Sequence, residues 1–214
     1  EAAQNGDGNG IVSWNWKANG SGAANTDGSI NTTKTSVNTT AGFSISIFTG
    51  TGSNATVGHG LGVAPSVYFV KRTNTTGDWL GYFKSQGAGK NLRLNTSEAV
   101  DSNNTMWQNT NPTSTLFYVG STAEANGSSD TVLAYCFTPI QGFSKFGSYT
   151  GNGDASSPTF IYTGFRPAFV IVRVTNAADS WNIYDNRRSP FNGTGGRLKA
   201  DTTVVEDTGT EYQT

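Results

Sequence analysis

The chain has 214 residues, 14% of them charged and 12% aromatic, with a formal net charge of −1. Fourteen scattered Lys and Arg exclude the basic footprint of a nucleic-acid binder, and no apolar run is long enough to span a membrane as a helix. A single cysteine excludes an internal disulfide.

Twenty-seven glycines and abundant Asn, Ser and Thr describe many short strands joined by turns, because Gly and Asn supply the positive-φ positions that tight turns need. The aromatics provide enough large apolar surface to offset chain entropy, which argues for one large or two small folded domains. The chain begins at Glu1, with neither Met nor a signal peptide, and reads as a processed or excised piece of a longer polypeptide.

Residues 1–10 read as a linker. Asn5-Gly6-Asp7-Gly8-Asn9-Gly10 opens like a calcium loop, but Trp16 stands where the closing carboxylate belongs, so a turn is expected there. Residues 11–17 alternate and put Trp14 and Trp16 on one face of an expected strand. They resemble residues 132–138, and both stretches read as the last strand of a unit. A long polar loop is expected over residues 19–41.

Residues 43–49 read as a strand with Phe43, Ile45 and Ile47 on one face, followed by a glycine-rich loop that carries His59. Residues 66–72 are apolar on both faces and read as a central strand covered on both sides. Further strands are expected at residues 79–83, 92–94, 116–119 and 132–137, and one helical turn within residues 98–107. Turn clusters between them fit an antiparallel sandwich.

The chain then repeats itself. Gly42-Phe43-Ser44 returns as Gly142-Phe143-Ser144, and Thr49-Gly50-Thr51-Gly52 as Thr150-Gly151-Asn152-Gly153. Residues 62–72 return as residues 164–173, and Trp79 as Trp181. The expected fold is all-β: two related antiparallel, jelly-roll-like sandwich units from an internal duplication. The first spans residues 11–139, of which 11–18 can close another unit, and the second spans 140–214. This second unit lacks counterparts of residues 116–119 and 132–137 and is expected to be incomplete. Residues 11–17, from the same or a neighbouring subunit, are the expected substitute for the missing strand.

Chemical candidates are few. His59, the only histidine, lies between glycines that would expose it, yet it has no nucleophile motif or second metal ligand to work with. Cys136 reads as core. Glu98, Asp101, Asp154, Asp179 and Asp185 form no motif. Neither catalytic residues, nor a cofactor, nor a metal are expected. Exposed aromatics are the stronger binding candidates: Trp107, Trp14, Trp16, Tyr82 and Tyr184 suit a sugar or a partner protein. Trp79 and Trp181, recurring at equivalent places, read as core. Nine Asn-x-Ser/Thr sequons (Asn19, Asn31, Asn38, Asn54, Asn74, Asn95, Asn103, Asn126 and Asn192) mark polar surface loops.

Two long joined motifs carry a resemblance covering nearly the whole chain. One runs from Trp14-Asn15-Trp16 through Gly42-Phe43-Ser44 to Val57-Gly58-His59-Gly60-Leu61-Gly62-Val63-Ala64-Pro65. The other joins Ala134-Tyr135-Cys136-Phe137 to residues 142–153. Together they resemble a β-rich domain of unknown function in large structural proteins of marine tailed bacteriophages, often beside a laminin-G or concanavalin-like sandwich. Members of that family usually continue to a final aromatic strand beyond the position of Thr214. The resemblance implies a non-enzymatic virion-surface or tail-fibre role, outside cells, with self-association or other virion or appendage subunits as partners. Two alternatives stand beside it. One is a carbohydrate-binding module directed at cell-surface glycan, the other a subunit of a non-viral extracellular filament built by strand complementation. Neither nucleic acid nor membrane insertion is expected.

Overall fold

The computed structural model describes residues 12–154, 156–188 and 196–207. The linker and cation-turn expectations for residues 1–10, and the sequon at Asn192, lie outside the described residues. The strands in chain order begin with β1 (Lys34–Asn38), β2 (Phe43–Thr49), β3 (Ala55–Gly58) and β4 (Val67–Arg72). Next come β5 (Leu80–Phe83), β6 (Lys90–Arg93), β7 (Asp101–Ser102) and β8 (Leu116–Val119), then one helical turn, α1 (Ala123–Asn126). The series ends with β9 (Thr131–Phe137), β10 (Phe169–Val172), β11 (Asn182–Asp185) and β12 (Leu198–Lys199).

The fold is all-β. A seven-stranded antiparallel sheet has the order β1-β2-β9-β4-β5-β6-β7, a two-stranded sheet joins β3 to β8, and a three-stranded sheet has the order β10-β11-β12. As its doubly apolar sequence requires, β4 is central, with β9 on one side and β5 on the other. The main core lies between one face of the large sheet and the β3–β8 pair. Phe48, Tyr68, Val70, Leu80, Tyr82, Val132, Ala134 and Cys136 meet Ala55, Val57, Phe117 and Val119 there, all buried.

The face of β2 that enters this core is not its aliphatic one. Ser44, Ser46 and Phe48 are buried, while Ile45 and Ile47 on the opposite face are only half-buried. Small side chains leave room for the rings opposite, and the hydroxyls are partly satisfied by one another. Thr32 bonds Thr35 through their hydroxyls (2.9 Å), and Thr35 bonds Ser46 (3.0 Å). That chain of hydroxyls explains why the expected long loop contains β1, whose polar sequence KTSVN hides a strand. β3 was likewise concealed by the glycines around it.

Four further expectations fail. Residues 98–107 contain no helix; they form β7 and a turn, and the helical turn sits at α1 instead. Its Asn126, expected on the surface, is buried: its amide donates to Ser53 C=O (2.6 Å) and Thr51 Oγ1 (3.2 Å), and its oxygen accepts from Thr51 N–H (3.0 Å). Residues 12–17 form no strand, because no neighbouring backbone among the described residues bonds to them, and residues 143–149 fail to repeat β2 as a strand. Phe143 and Tyr149 are exposed in consequence.

The small third sheet nevertheless follows the register of the large one. The pairs Val67↔Phe83 and Tyr68↔Tyr82 of β4–β5 match Phe169↔Asp185 and Val170↔Tyr184 of β10–β11. Trp79 N–H donates to Asn95 Oδ1 (2.9 Å), as Trp181 N–H donates to Asp201 Oδ1 (2.9 Å). Arg93 stands between the two sheets. Its guanidinium meets Asp78 (3.1 Å), Glu98 (3.1 Å) and Glu124 (3.2 Å), and its carbonyl accepts from Trp181 Nε1–H (2.7 Å) and Arg173 Nη1–H (3.0 Å).

Candidate binding surface

The side chains with reactive chemistry lie in the core. Contrary to the exposure its flanking glycines suggested, His59 is fully buried, because Ala55–Gly58 pairs with β8 and draws the following residue inward. Its Nδ1 accepts from Leu61 N–H (3.1 Å), which leaves Nε2–H to donate to Thr113 C=O (3.2 Å). Burial holds its pKa below the ordinary histidine value, outweighing the Thr113 bond and the charge of Asp27. The neutral ring is therefore the folded form. Stability is full above about pH 6.5 and falls as the pH drops below the unfolded-state value towards the folded one. Because the chain has one histidine, its ring proton resonances are unambiguous by NMR. A midpoint below that of a denatured sample is the expected result; one at or above it contradicts this account.

Cys136 is also fully buried, and burial pushes its thiol well above the ordinary value, the neighbouring Ser44 hydroxyl lowering it by less. The native thiol should fail to react with Ellman's reagent over hours and react stoichiometrically in denaturant. Ready reaction in the native state would show that the β2–β9 region opens.

The carboxylates are engaged locally. Asp185 holds Arg188 (2.7 Å), Glu98 holds Arg93, and Asp101 accepts from Asn91 Nδ2 (3.2 Å). Asp154 caps Ser156 N–H (2.8 Å), and Asp179 Oδ1 accepts from Ser180 N–H (2.7 Å). Among the described residues, no three His, Cys, Asp or Glu are grouped to hold a metal ion.

Two of the five aromatic candidates must be corrected. Trp107 is fully buried, its Nε1–H donating to Lys90 C=O (3.0 Å) and its ring standing edge-on to Tyr68 at 4.9 Å. Tyr82 is buried too: its ring stacks on Tyr68 at 4.7 Å, and its hydroxyl donates to Asn111 Oδ1 (3.1 Å). Tyr82 faces inward because β5 turns it to the core side, and Trp107 because the loop between β7 and β8 folds under the large sheet. Tyr184 is half-buried on β11 opposite Val170. Trp14 is half-buried, and Trp16 is 50% exposed.

Trp14 and Trp16 belong to a larger feature on the far face of the seven-stranded sheet. Phe43 packs on Phe137 (4.8 Å), Phe137 on Phe69 (6.4 Å), Phe69 on Phe83 (5.7 Å) and Phe83 on Trp181 (5.6 Å). Trp79 extends the row through Tyr135 (5.6 Å). Trp16 bridges Phe137 (6.2 Å) to Phe169 (5.7 Å), and Trp14 meets Phe169 at 5.8 Å. Trp181 is buried under Arg173, whereas Trp79 is only half-buried.

Beyond the third sheet the apolar surface is open. Phe160 is 84% exposed and Tyr162 71%, and Val170 and Ile171 on β10 are each 38% exposed. Apolar side chains this exposed become interaction surfaces where they lie side by side. One open depression is lined by Asn95, Asp201, Thr202 and Val204.

Fold and surface together define an antiparallel β-sandwich protein with a closed core and an open aromatic flank. Its sequence matches the family model described as "Domain of unknown function (DUF7483)" over residues 1–214, and the chain belongs to that family. No curated protein and no solved structure matches it.

Proposed function

We propose that the chain is a non-catalytic structural module of an extracellular assembly, in particular a virion-surface or tail-fibre component of a tailed bacteriophage. The observation that carries the structural role is the set of exposed aromatic and aliphatic side chains between Phe143 and Val174, together with an edge of β10 that has no ladder among the described residues. Exposed rings and an open strand edge are liabilities in a free monomer and are ordinary in a subunit covered by neighbours. His59 and Cys136, the side chains best suited to catalysis, are used as core. The two ladders of matching register support descent from one duplicated unit. The phage setting rests on the resemblance of the joined Gly-Phe-Ser and Val-Gly-His-Gly-Leu-Gly motifs.

The test is immunogold labelling, with antibody against the purified chain, of particles and appendages released by cultures that express it. Labelled phage tails or capsid surfaces are the expected result. Label on filaments without capsids would replace this reading with a non-viral filament, which the open β10 edge also favours; label inside intact cells alone would overturn both. The carbohydrate-binding alternative loses the residue it leaned on most, since Trp107 is in the core.

A further inference from the structure

The geometry points to the free edge of β10 as an acceptor for residues 12–17 of a second copy of this chain. They would add as a strand in the place that β9 takes beside β4. This inference rests on the reading of the chain as an assembly component and names the partner.

One absent strand accounts for two separate features. In the large sheet, β9 lies between β2 and β4 and bonds to both. In the third sheet, β10 keeps β11, the counterpart of β5, but among the described residues has no ladder on its other side. Residues 143–149, which repeat the start of β2, make one local bridge, Ile140 to Ser144, and join no ladder among the described residues. A strand laid between them would supply the partner that each lacks.

Residues 12–17 have the pattern for that strand. Val12, Trp14 and Trp16 stand where β9 has Leu133, Tyr135 and Phe137. On β9, Phe137 pairs with Val67 and Tyr135 with Phe69, so the matching register sets Trp16 opposite Phe169 and Trp14 opposite Ile171. Within one chain both indoles already lie on Phe169, Trp16 as a direct neighbour would and Trp14 as a diagonal one. The intervening residues also fit. Ala134 and Cys136 face the β3–β8 sheet, whereas Ser13 and Asn15 would face a side of the third sheet that no described strand covers, where polar groups stay hydrated.

A chain's own segment is held off this edge. Asn38 Nδ2 donates to Lys17 C=O (3.0 Å) and Asn19 N–H donates to Ser36 Oγ (2.9 Å), which ties the end of the segment to β1. Its rings reach Phe169 while its backbone bonds nothing on β10. A second copy's segment carries no such tie to this molecule's β1. It brings its own exposed Trp16 to Phe169 and its Trp14 to the exposed Ile171. Reciprocal exchange closes a dimer, and one-way exchange propagates a filament.

The test is sedimentation of the purified chain over roughly 1–100 μM, a range that spans the micromolar affinities of modest interfaces. Self-association that rises with concentration is expected. Trp14→Ala/Trp16→Ala removes the donor, and Ile171→Lys puts a charge on the acceptor edge. Each variant alone should associate at least tenfold more weakly. Their mixture should form a complex of two chains and stop there, since it contains one intact donor and one intact acceptor. The unreactive Cys136 thiol reports that both variants remain folded. A wild-type chain that stays monomeric while the β10 amides are protected from exchange would show that its own segment closes the edge, and would overturn the inference. Association unchanged in both variants would overturn it too. A monomer that still labels virions would remove this inference and leave the assembly reading standing.

Discussion

Trp107→Ala is expected to destabilise the protein by about 3–5 kcal/mol, the range for emptying a large aromatic site in a packed core. The indole fills the space beside Tyr68 and donates to Lys90 C=O, so truncation leaves both a cavity and an unsatisfied carbonyl. The loss should spread locally, because the turn after Trp107 is built on left-handed residues, Gln108 at φ 56° and Asn109 at φ 47°. That turn presents Gln108 Nε2 to Ala55 C=O and Val119 C=O, both at 2.9 Å, and so plugs the end of the β3–β8 pair. Urea denaturation checks the magnitude. A surface ligand contact would change stability by no more than about 0.5 kcal/mol, so the measurement separates a core role from the sugar-binding role that the sequence suggested.

That contrast shows where sequence patterning stops being informative. The strands β2, β4, β8 and β9 were legible because each is a short apolar or alternating run between turn residues. Which face of each run is buried was not. β2 offers Phe43, Ile45 and Ile47 on one side and Ser44, Ser46 and Phe48 on the other, and the serine side enters the main core because rings from β4, β5 and β8 need the space. Trp107 was misread for a related reason: an aromatic in a polar loop gives no sign that the loop folds under a sheet. β1 and β3 were hidden by hydroxyls and glycines, whose bonding partners lie far away in the chain.

The aromatic flank was legible in part. Repetition of the Gly-Phe-Ser and Pro-containing motifs pointed to a second unit related to the first, with residues 11–17 as the substitute for its missing strand, and Trp14 and Trp16 of that segment do touch Phe169 on β10. Strand formation at residues 12–17 and 143–149 did not follow, since a ladder requires a neighbour at its edge as well as a favourable sequence. Local pattern specifies what a strand can be; the presence of a partner decides whether it forms.

Gly120→Ala should be as damaging as the loss of Trp107, for the opposite reason. Gly120 follows β8 directly in the buried interior, and its N–H donates to Met106 C=O (2.9 Å). A Cβ placed there would lie 1.5 Å from Thr105 O and 3.1 Å from Met106 O, so the obstacle is backbone and not a side chain that can swing away. Nor can that backbone retreat easily. Met106 and Trp107 anchor it in the core on one side, and Asn103 Oδ1 holds Thr105 through its N–H (3.0 Å) and its hydroxyl (2.7 Å) on the other. The expected cost is at least about 3 kcal/mol, at the upper end of overpacking effects, with unfolding at ambient temperature if the protein is marginal. Gly147→Ala is the matched control: its Cβ meets nothing within 4 Å and its φ is not positive, so the change should fall within about 0.5 kcal/mol of wild type. Thermal melts of the two variants side by side decide the matter. Equal melting temperatures would mean that the 105–106 backbone moves aside at little cost, and the tight seam between β8 and the Trp107 turn would then not be what fixes this end of the sandwich.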